Sequence, residues 1–133
     1  MDGVGGIHEQ REAREVKLGQ YGHSNQPSHH IPYMYLYSSR PWETQKYVRD
    51  ILARCYAGST FGQGYIGDED NGEMSAWYIL SSIGFYPLSM GNDEFAIGSP
   101  QFKEVTVNLE GNKKLVIKAN NNSKENVLSL IHI

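Results

Sequence analysis

The chain has 133 residues, enough for one modest domain, and 39% of them are hydrophobic. Its formal net charge of -3 argues against nucleic acid or an anionic membrane as a partner. No apolar run approaches the roughly 20 residues that a membrane-spanning helix needs. The single cysteine, Cys55, excludes an internal disulfide and a cysteine-rich zinc site. It falls on the apolar face of a predicted helix, so a buried, inert thiol is expected.

The first third of the sequence predicts two helices separated by a loop. Residues 1–18 are polar and charged without an apolar stripe, which predicts a solvated helix or, alternatively, a disordered tail. Residues 19–30 contain two glycines and a proline and predict a loop. The apolar run that follows has Pro32 in its first turn. It predicts a buried helix over residues 28–38, with a tyrosine-rich strand as the alternative.

The middle of the chain predicts two more helices. Residues 41–56 have apolar side chains at helical spacing, and the charged side chains between them, from Glu43 onward, are expected to face water. The apolar positions are Trp42, Val48, Ile51, Leu52 and Cys55. Residues 57–67 form a glycine-rich loop that lacks the Gly-Lys-Ser/Thr of a phosphate loop. Residues 71–83 predict a helix that is apolar almost all round, and therefore buried, with Gly84 ending it.

After Pro87 the period of the hydrophobic pattern changes from 3.6 to 2, which indicates strands. Short strands are predicted at residues 94–97, 105–109 and 115–119, and Gly111-Asn112 predicts the turn of a hairpin. The sequence therefore predicts an α+β fold. Its parts are a polar extension (1–18), a helical part (19–88), an antiparallel β segment (89–120) and a tail (121–133).

The most unusual stretch is an acidic turn at residues 67–73, between two glycines and ahead of the last helix. Asp68 and Asp70 are two positions apart and would project the same way from an extended loop. Such a pair can activate a hydrolytic water or bind a hard cation. The alternative for Asp70 is an N-cap in a capping box with Glu73. Glu69 is expected to point away from the pair.

The loop at residues 19–30 offers polar groups that could face the acidic turn. The amide oxygens of Asn25 and Gln26 could complete an oxygen-only site, which suits Ca²⁺. Adjacent histidines on a helix diverge by about 100°, so His29 and His30 do not predict a zinc site. These two histidines and His23 either hydrogen-bond within a buried polar layer or recognise sugar hydroxyls.

The two tryptophans have a structural and a functional interpretation. Trp42 and Trp77 both fall on predicted apolar helix faces, so the core is the expected location. A platform on which a sugar ring stacks is the alternative for either ring.

Three motifs, taken together and in this order, resemble glycoside hydrolase family 92, the calcium-dependent α-mannosidases. They are NQPSHHIPY at residues 25–33, PWETQK at 41–46 and GDEDNGEMSAWY at 67–78, the last followed by GFYP at 84–87. The resemblance runs from about Gly19 to about Ala119. Many family members have Gly-Asn-Glu-Pro where this chain has Ser24-Asn25-Gln26-Pro27, so Gln26 keeps an oxygen ligand but lacks a charge.

The resemblance implies a fold and a reaction. The chain would supply the last helices of an (α/α)₆ barrel and a closing β segment, and would begin and end within a longer enzyme. Family members hydrolyse terminal α-linked mannose with inversion, so Asp70 would be the general base and Asp68 its assistant. Ca²⁺ would be bound by Asn25, Gln26 and Asp70. His29, His30 and Gln26 would contact a mannose-containing glycan.

The resemblance also leaves an alternative open. The general-acid glutamate of the family lies in an earlier segment, so the 133 residues alone are expected to be inactive. A catalytically incomplete carbohydrate-binding or scaffold module is therefore the second hypothesis. A secreted, periplasmic or cell-surface location is implied by the family, although Met1 to Gly6 do not resemble a signal peptide.

Overall fold

A computed structural model describes residues 7–56, 58 and 62–128. Within these residues, three α-helices come first: α1 (His8–Glu15), α2 (Trp42–Cys55) and α3 (Glu73–Ile83). Four strands follow in the described part of the chain: β1 (Phe85–Tyr86), β2 (Ala96–Ile97), β3 (Glu104–Asn108) and β4 (Lys114–Lys118). The α-helices precede the strands, so the predicted α+β class is confirmed. No helix in the described ranges has the length and apolar content that crossing a membrane requires.

The N-terminal segment forms the predicted solvated helix. Ala13 is the buried residue of α1, and its other side chains carry the charges of the polar segment. Arg54 of α2 donates to the carbonyl of Val16 at 3.2 Å, which holds the end of α1 against α2. The disordered alternative is therefore wrong for residues 8–15. Residues 1–6 of the predicted extension lie outside the described residues.

The predicted buried helix at residues 28–38 is a pair of 3₁₀ helices, at Gln26–Ser28 and Ile31–Tyr37. Each carries a proline in its first turn, where the missing N–H costs nothing. Pro32 and Tyr33 are buried, whereas Ile31 and Tyr37 are exposed. The strand alternative for this segment is wrong.

Helix α2 buries a face that differs from the predicted one at its first turn. Val48, Ile51, Leu52 and Cys55 are buried as expected, and the thiol pKa of Cys55 is raised by burial to about 12. Trp42 is 48% exposed, because six residues at about 100° each place it about 120° around the helix from Val48. The buried face continues through Thr44 and Gln45 instead.

Glu43 is also buried, against the expectation that it faces water. Arg40 donates to its Oε1 at 2.5 Å, and the Lys46 ammonium lies 3.7 Å from its Oε2. A buried carboxylate is tolerated when cations neutralise it in this way. The sequence rule that charged side chains stay in water therefore fails at this turn.

Helix α3 is buried on one face only. Met74, Trp77 and Ser81 lie in the core, whereas Ile79 is 56% exposed. The expectation of a helix buried all round is thus wrong for the described residues, although apolar side chains do lie on several faces of α3. Gly84 ends the helix in the left-handed conformation (φ 107°), as predicted. A Cβ at Gly84 would lie 2.5 Å from Cγ of Pro100, so side chains are excluded there.

The strands form two separate antiparallel pairs. β1, which the sequence did not predict, pairs with β2 in the register Phe85 to Ile97. β3 pairs with β4 in the register Val105 to Ile117, and their connection has positive φ at Gly111 and Asn112. The predicted hairpin is therefore confirmed.

The core joins the helical and β parts. Its buried residues come from the second 3₁₀ helix, α2, the loop before the acidic turn and α3, and Tyr86 packs against them from β1. They are Tyr33, Val48, Ile51, Leu52, Cys55, Ile66 and Trp77. The Tyr33 hydroxyl bonds to Oγ of Ser81 at 2.8 Å, which satisfies two buried polar groups at once.

One arginine fastens the C-terminal segment to α2. The Arg49 guanidinium donates to the carbonyl of Pro100, to Oδ1 of Asn122 at 3.0 Å and to the carbonyl of Ser123 at 3.0 Å. Asn122 in turn donates to the same Pro100 carbonyl at 3.0 Å. Part of the predicted tail is therefore packed on the domain. Residues 57, 59–61 and 129–133, which belong to the predicted glycine-rich loop and tail, lie outside the described residues.

Candidate active site

The acidic turn is built from left-handed backbone. Asp70, Asn71 and Gly72 have φ values of 50°, 61° and 92° in succession. Two successive non-glycine residues in this region are uncommon, and such strain concentrates at functional sites. The turn is therefore not extended through Asp70, and the alternation argument that placed Asp68 and Asp70 side by side does not apply there.

The predicted capping box is wrong. Helix α3 begins at Glu73, its N-cap is Gly72, and no side chain caps it from that position. An N-cap carboxylate needs an extended backbone immediately before the helix, whereas Asp70 is left-handed and lies two residues earlier. The carboxylate of Asp70 is thus not used to start the helix.

Glu69, expected to point away, holds the start of α3 instead. Its Oε1 accepts the amide N–H of Ser75 at 3.1 Å, and its Oε2 accepts the Ser75 hydroxyl at 2.7 Å. The Tyr65 hydroxyl donates to the same Oε2 at 2.5 Å. These bonds, that from Tyr65 first, lower the pKa of Glu69 below its ordinary value. Only the position of Ser75 in the first turn of the helix could have suggested this role.

The two aspartates of the turn are left available. Asp68 and Asp70 are exposed, and within residues 7–56, 58 and 62–128 neither carboxylate accepts a hydrogen bond. Glu69, which lies between them, accepts the hydrogen bonds that connect the turn to α3. A carboxylate that is fixed in place by its neighbours but not bonded to them can accept a proton from water or bind a cation.

Behind the turn, His23 is the centre of a buried hydrogen-bonded layer. Its Nδ1 bonds to the Tyr21 hydroxyl at 2.9 Å and its Nε2 to the Tyr56 hydroxyl at 2.8 Å. The Tyr56 hydroxyl in turn donates a hydrogen bond to the carbonyl of Met74 at 3.0 Å. His23 therefore carries its proton on Nε2, because Tyr56 accepts there, and Tyr21 donates to Nδ1.

His29 belongs to the same layer. Its Nε2 donates to the carbonyl of His23 at 3.0 Å, and its own carbonyl accepts the indole N–H of Trp77 at 3.1 Å. The two imidazoles stack with centroids 4.6 Å apart. Burial lowers the pKa of each, and for His23 the proximity of His29 lowers it further, so both rings are neutral. The buried-polar-layer interpretation is confirmed for these two histidines, and Trp77 is confirmed in the core.

Three buried polar atoms of the loop have no partner in the described structure: Oγ of Ser24, Nε2 of Gln26 and Nδ1 of His29. Since His29 carries its proton on Nε2, its Nδ1 is an unused acceptor. Buried polar atoms in native proteins are nearly always bonded, so each of these three is a position where a further group is expected. His30, by contrast, is exposed.

The loop and the acidic turn are in direct contact. A Cβ added at Gly67 would lie 2.4 Å from Cβ of Ser24, so only glycine allows the turn to approach this closely. The adjacent side chains diverge, however. Asn25 lines a cavity of about 490 Å³ on one side of α1, and Asp68 lines one of about 310 Å³ on the other.

No three His, Cys, Asp or Glu side chains within the described residues are arranged to hold a metal ion. The candidate calcium ligands Asn25, Gln26 and Asp70 are oxygen donors, the kind that Ca²⁺ prefers. They fit Ca²⁺ in chemical type but not in number, since the ion takes six to eight oxygens.

Residues 5–131 match the family described as Glycosyl hydrolase family 92 catalytic domain. The chain belongs to this family. The match includes α1, which the motifs alone did not connect with the family.

Solved structures give the same assignment. The family 92 α-mannosidase BT3965 of Bacteroides thetaiotaomicron is 38% identical with a TM-score of 0.73, over 82% of this chain and 14% of that one. Its complex with mannoimidazole is 37% identical with a TM-score of 0.75, over 86% and 15%. The inverting mannosidase BT2199 of B. thetaiotaomicron VPI-5482 is 44% identical with a TM-score of 0.73, over 95% and 17%. The chain thus spans about one sixth of these relatives. No curated protein matches it.

Proposed function

We propose that this chain forms part of an exo-acting, inverting α-mannosidase, in which Asp70 is the general base and Asp68 assists it. The observation that carries the proposal is that both carboxylates are exposed and unbonded on a turn whose shape is maintained by Glu69 and Gly67. The similarity to BT2199, described as an inverting mannosidase, supports inversion, and the mannoimidazole complex of BT3965 supports a mannose-type ligand.

In this mechanism, Asp70 accepts a proton from the water that attacks the anomeric carbon, on the face opposite the leaving group. Asp68, two residues earlier, orients that water. Protonation of the leaving oxygen requires an acid, which we assign to a part of the family domain outside these residues. The neutral His23 and His29 are not the acid at neutral pH, because burial lowers the pKa of each ring and disfavours its charged imidazolium form.

The loop would contribute to substrate and cation binding. Exposed His30 and the amide of Gln26 are suited to sugar hydroxyls, and His29 offers its unused Nδ1 as an acceptor. Asn25, Gln26 and Asp70 would be part of a Ca²⁺ site that other segments complete. The ion would polarise mannose hydroxyls and favour a distorted ring. The helices would be the last of an (α/α)₆ barrel, in an exported enzyme.

A chimera tests this proposal. The segment of BT2199 that matches this chain is replaced by residues 5–131, and mannose release from an aryl α-mannoside is measured with and without a chelator. We expect turnover that gives β-mannose as the first product by NMR and that falls on chelation. A folded chimera that binds mannoimidazole without turnover would instead favour the carbohydrate-binding module. Turnover giving α-mannose would contradict inversion.

A further inference from the structure

The exposed side of α3 carries an apolar stripe. Ala76, Ile79 and Ile83 are separated by three and four residues and therefore share one face of the helix. Ala76 is exposed, Ile79 is 56% exposed and Ile83 is half-buried. We call these three residues the α3 stripe. It lies away from the side of the helix that packs into the core through Met74 and Trp77.

The stripe does not have the chemistry of a surface in contact with water. No residue from Met74 to Gly84 is charged, so the exposed side of α3 lacks the charged groups that solvent-facing helices carry. Helix α2, which also has one exposed side, carries Lys46, Arg49, Asp50 and Arg54. A helix that is apolar all round is normally buried all round.

The comparisons indicate what covers it. This chain matches 14% to 17% of the length of its solved relatives, in which five sixths of the chain lie outside the match. We infer that the α3 stripe docks against that remainder of a family 92 domain, on an uncharged, apolar surface. This inference depends on family membership and on the stripe. It does not depend on the catalytic roles of Asp68 and Asp70.

Ile79→Lys tests the inference, with Met90→Lys as the matched control. Met90 is 92% exposed, and it lies in the loop between β1 and β2. Thermal unfolding is measured for each variant in two settings, the 133-residue chain alone and the BT2199 chimera. Because a lysine without a partner is costly only when it is buried, Ile79→Lys should lower the Tm of the chimera by several degrees and leave that of the chain alone unchanged. Met90→Lys should alter neither.

A second measurement does not need an intact chimera. The tagged chain is co-expressed with BT2199 from which the matching segment has been deleted, and co-purification is quantified. We expect capture that Ile79→Lys reduces about tenfold or more and Met90→Lys does not. The inference is overturned if Ile79→Lys unfolds the chain alone, if it leaves the chimera as stable as before, or if the wild-type chain captures nothing. An Ile79-dependent dimer of the free chain would also overturn it, in favour of a second copy.

Discussion

At the scale of single residues, the three acidic side chains at residues 68–70 of the turn differ in their hydrogen bonding. Glu69 is bonded to Tyr65 and Ser75, whereas its neighbours Asp68 and Asp70 accept no hydrogen bond within the described residues. The sequence identified the turn and the family of the chain. It could not assign the role of Glu69, because residue types alone do not show the left-handed backbone at Asp70 and Asn71 or the close approach of Gly67 to Ser24.

Glu69→Ala is expected to loosen the start of α3. The Ser75 amide loses its acceptor, so its hydrogen exchange should become several-fold faster while amides near Ser81 keep their protection. Native-state hydrogen exchange of the 133-residue chain measures this directly. Glu73→Ala is the matched control, because Glu73 lies in the same first turn. Equal effects of the two variants would contradict the role assigned to Glu69.

The buried histidines predict a pH dependence of stability. Their pKa values are lowered in the folded chain from an ordinary value of 6.5, so the unfolded chain binds more protons as the pH falls below that value. Their contribution to stability is complete at neutral pH and lost on acidification. At about pH 5 the loss is at most about 2 kcal/mol for each histidine.

The measurement is the free energy of unfolding from urea titrations between about pH 5 and 8. His23→Gln should reduce the slope in this range, whereas the exposed His30→Gln should not. Glu69 loses its contribution only as the pH falls through its own lowered pKa, so it does not affect this range. An unchanged slope in His23→Gln would show that this ring takes up a proton as readily in the folded chain as in the unfolded one, and that its pKa is not lowered.

At the scale of elements, the sequence predicted the positions of the helices and the hairpin better than it predicted which of their side chains are buried. The face of α2 was misjudged at its first turn because polar Thr44 and Gln45 lie inside and Trp42 lies outside. A hydrophobic pattern detects only apolar residues. It therefore does not predict the burial of Glu43, whose charge is neutralised by Arg40 and Lys46. The short β1 was missed since two residues show no period.

The hydrogen bonds of Arg49 lead to a prediction about how the C-terminal segment contributes to the stability of the domain. Arg49→Met removes the bonds to Pro100, Asn122 and Ser123. The carbonyl of Ser123 loses its donor, whereas that of Pro100 still accepts from Asn122. We expect a destabilisation of about 1–3 kcal/mol in denaturant titrations. Lys118→Met, which removes only an exposed ion pair with Glu104, should cost less than about 0.5 kcal/mol. Equal stability of both variants would mean that the C-terminal segment contributes nothing to the domain.

At the scale of the whole molecule, we propose that the chain supplies only part of a site. It presents two aspartates, a polar loop with unpartnered buried atoms and an apolar helix face, and it spans about one sixth of its relatives. The sequence predicted the aspartates and the loop from family motifs. It could not predict that Asn25 and Asp68 line separate cavities beside α1.

The free chain should therefore release no mannose. An assay of the 133 residues with an aryl α-mannoside should show no release above buffer, in the presence or absence of Ca²⁺, because we propose that the acid that protonates the leaving group lies in another part of the family domain. Turnover that co-purifies with the chain and disappears in Asp70→Asn would contradict this expectation and would place the acid among these residues.

The most direct test of the central claim is the turnover number of the BT2199 chimera with Asp70→Asn, beside Asp93→Asn as a control in an exposed loop. If Asp70 accepts the proton of the attacking water, kcat falls by about 10²- to 10⁴-fold in the first variant and stays within twofold in the second. A chimera with Asp70→Asn that keeps most of its turnover would show that the base lies elsewhere.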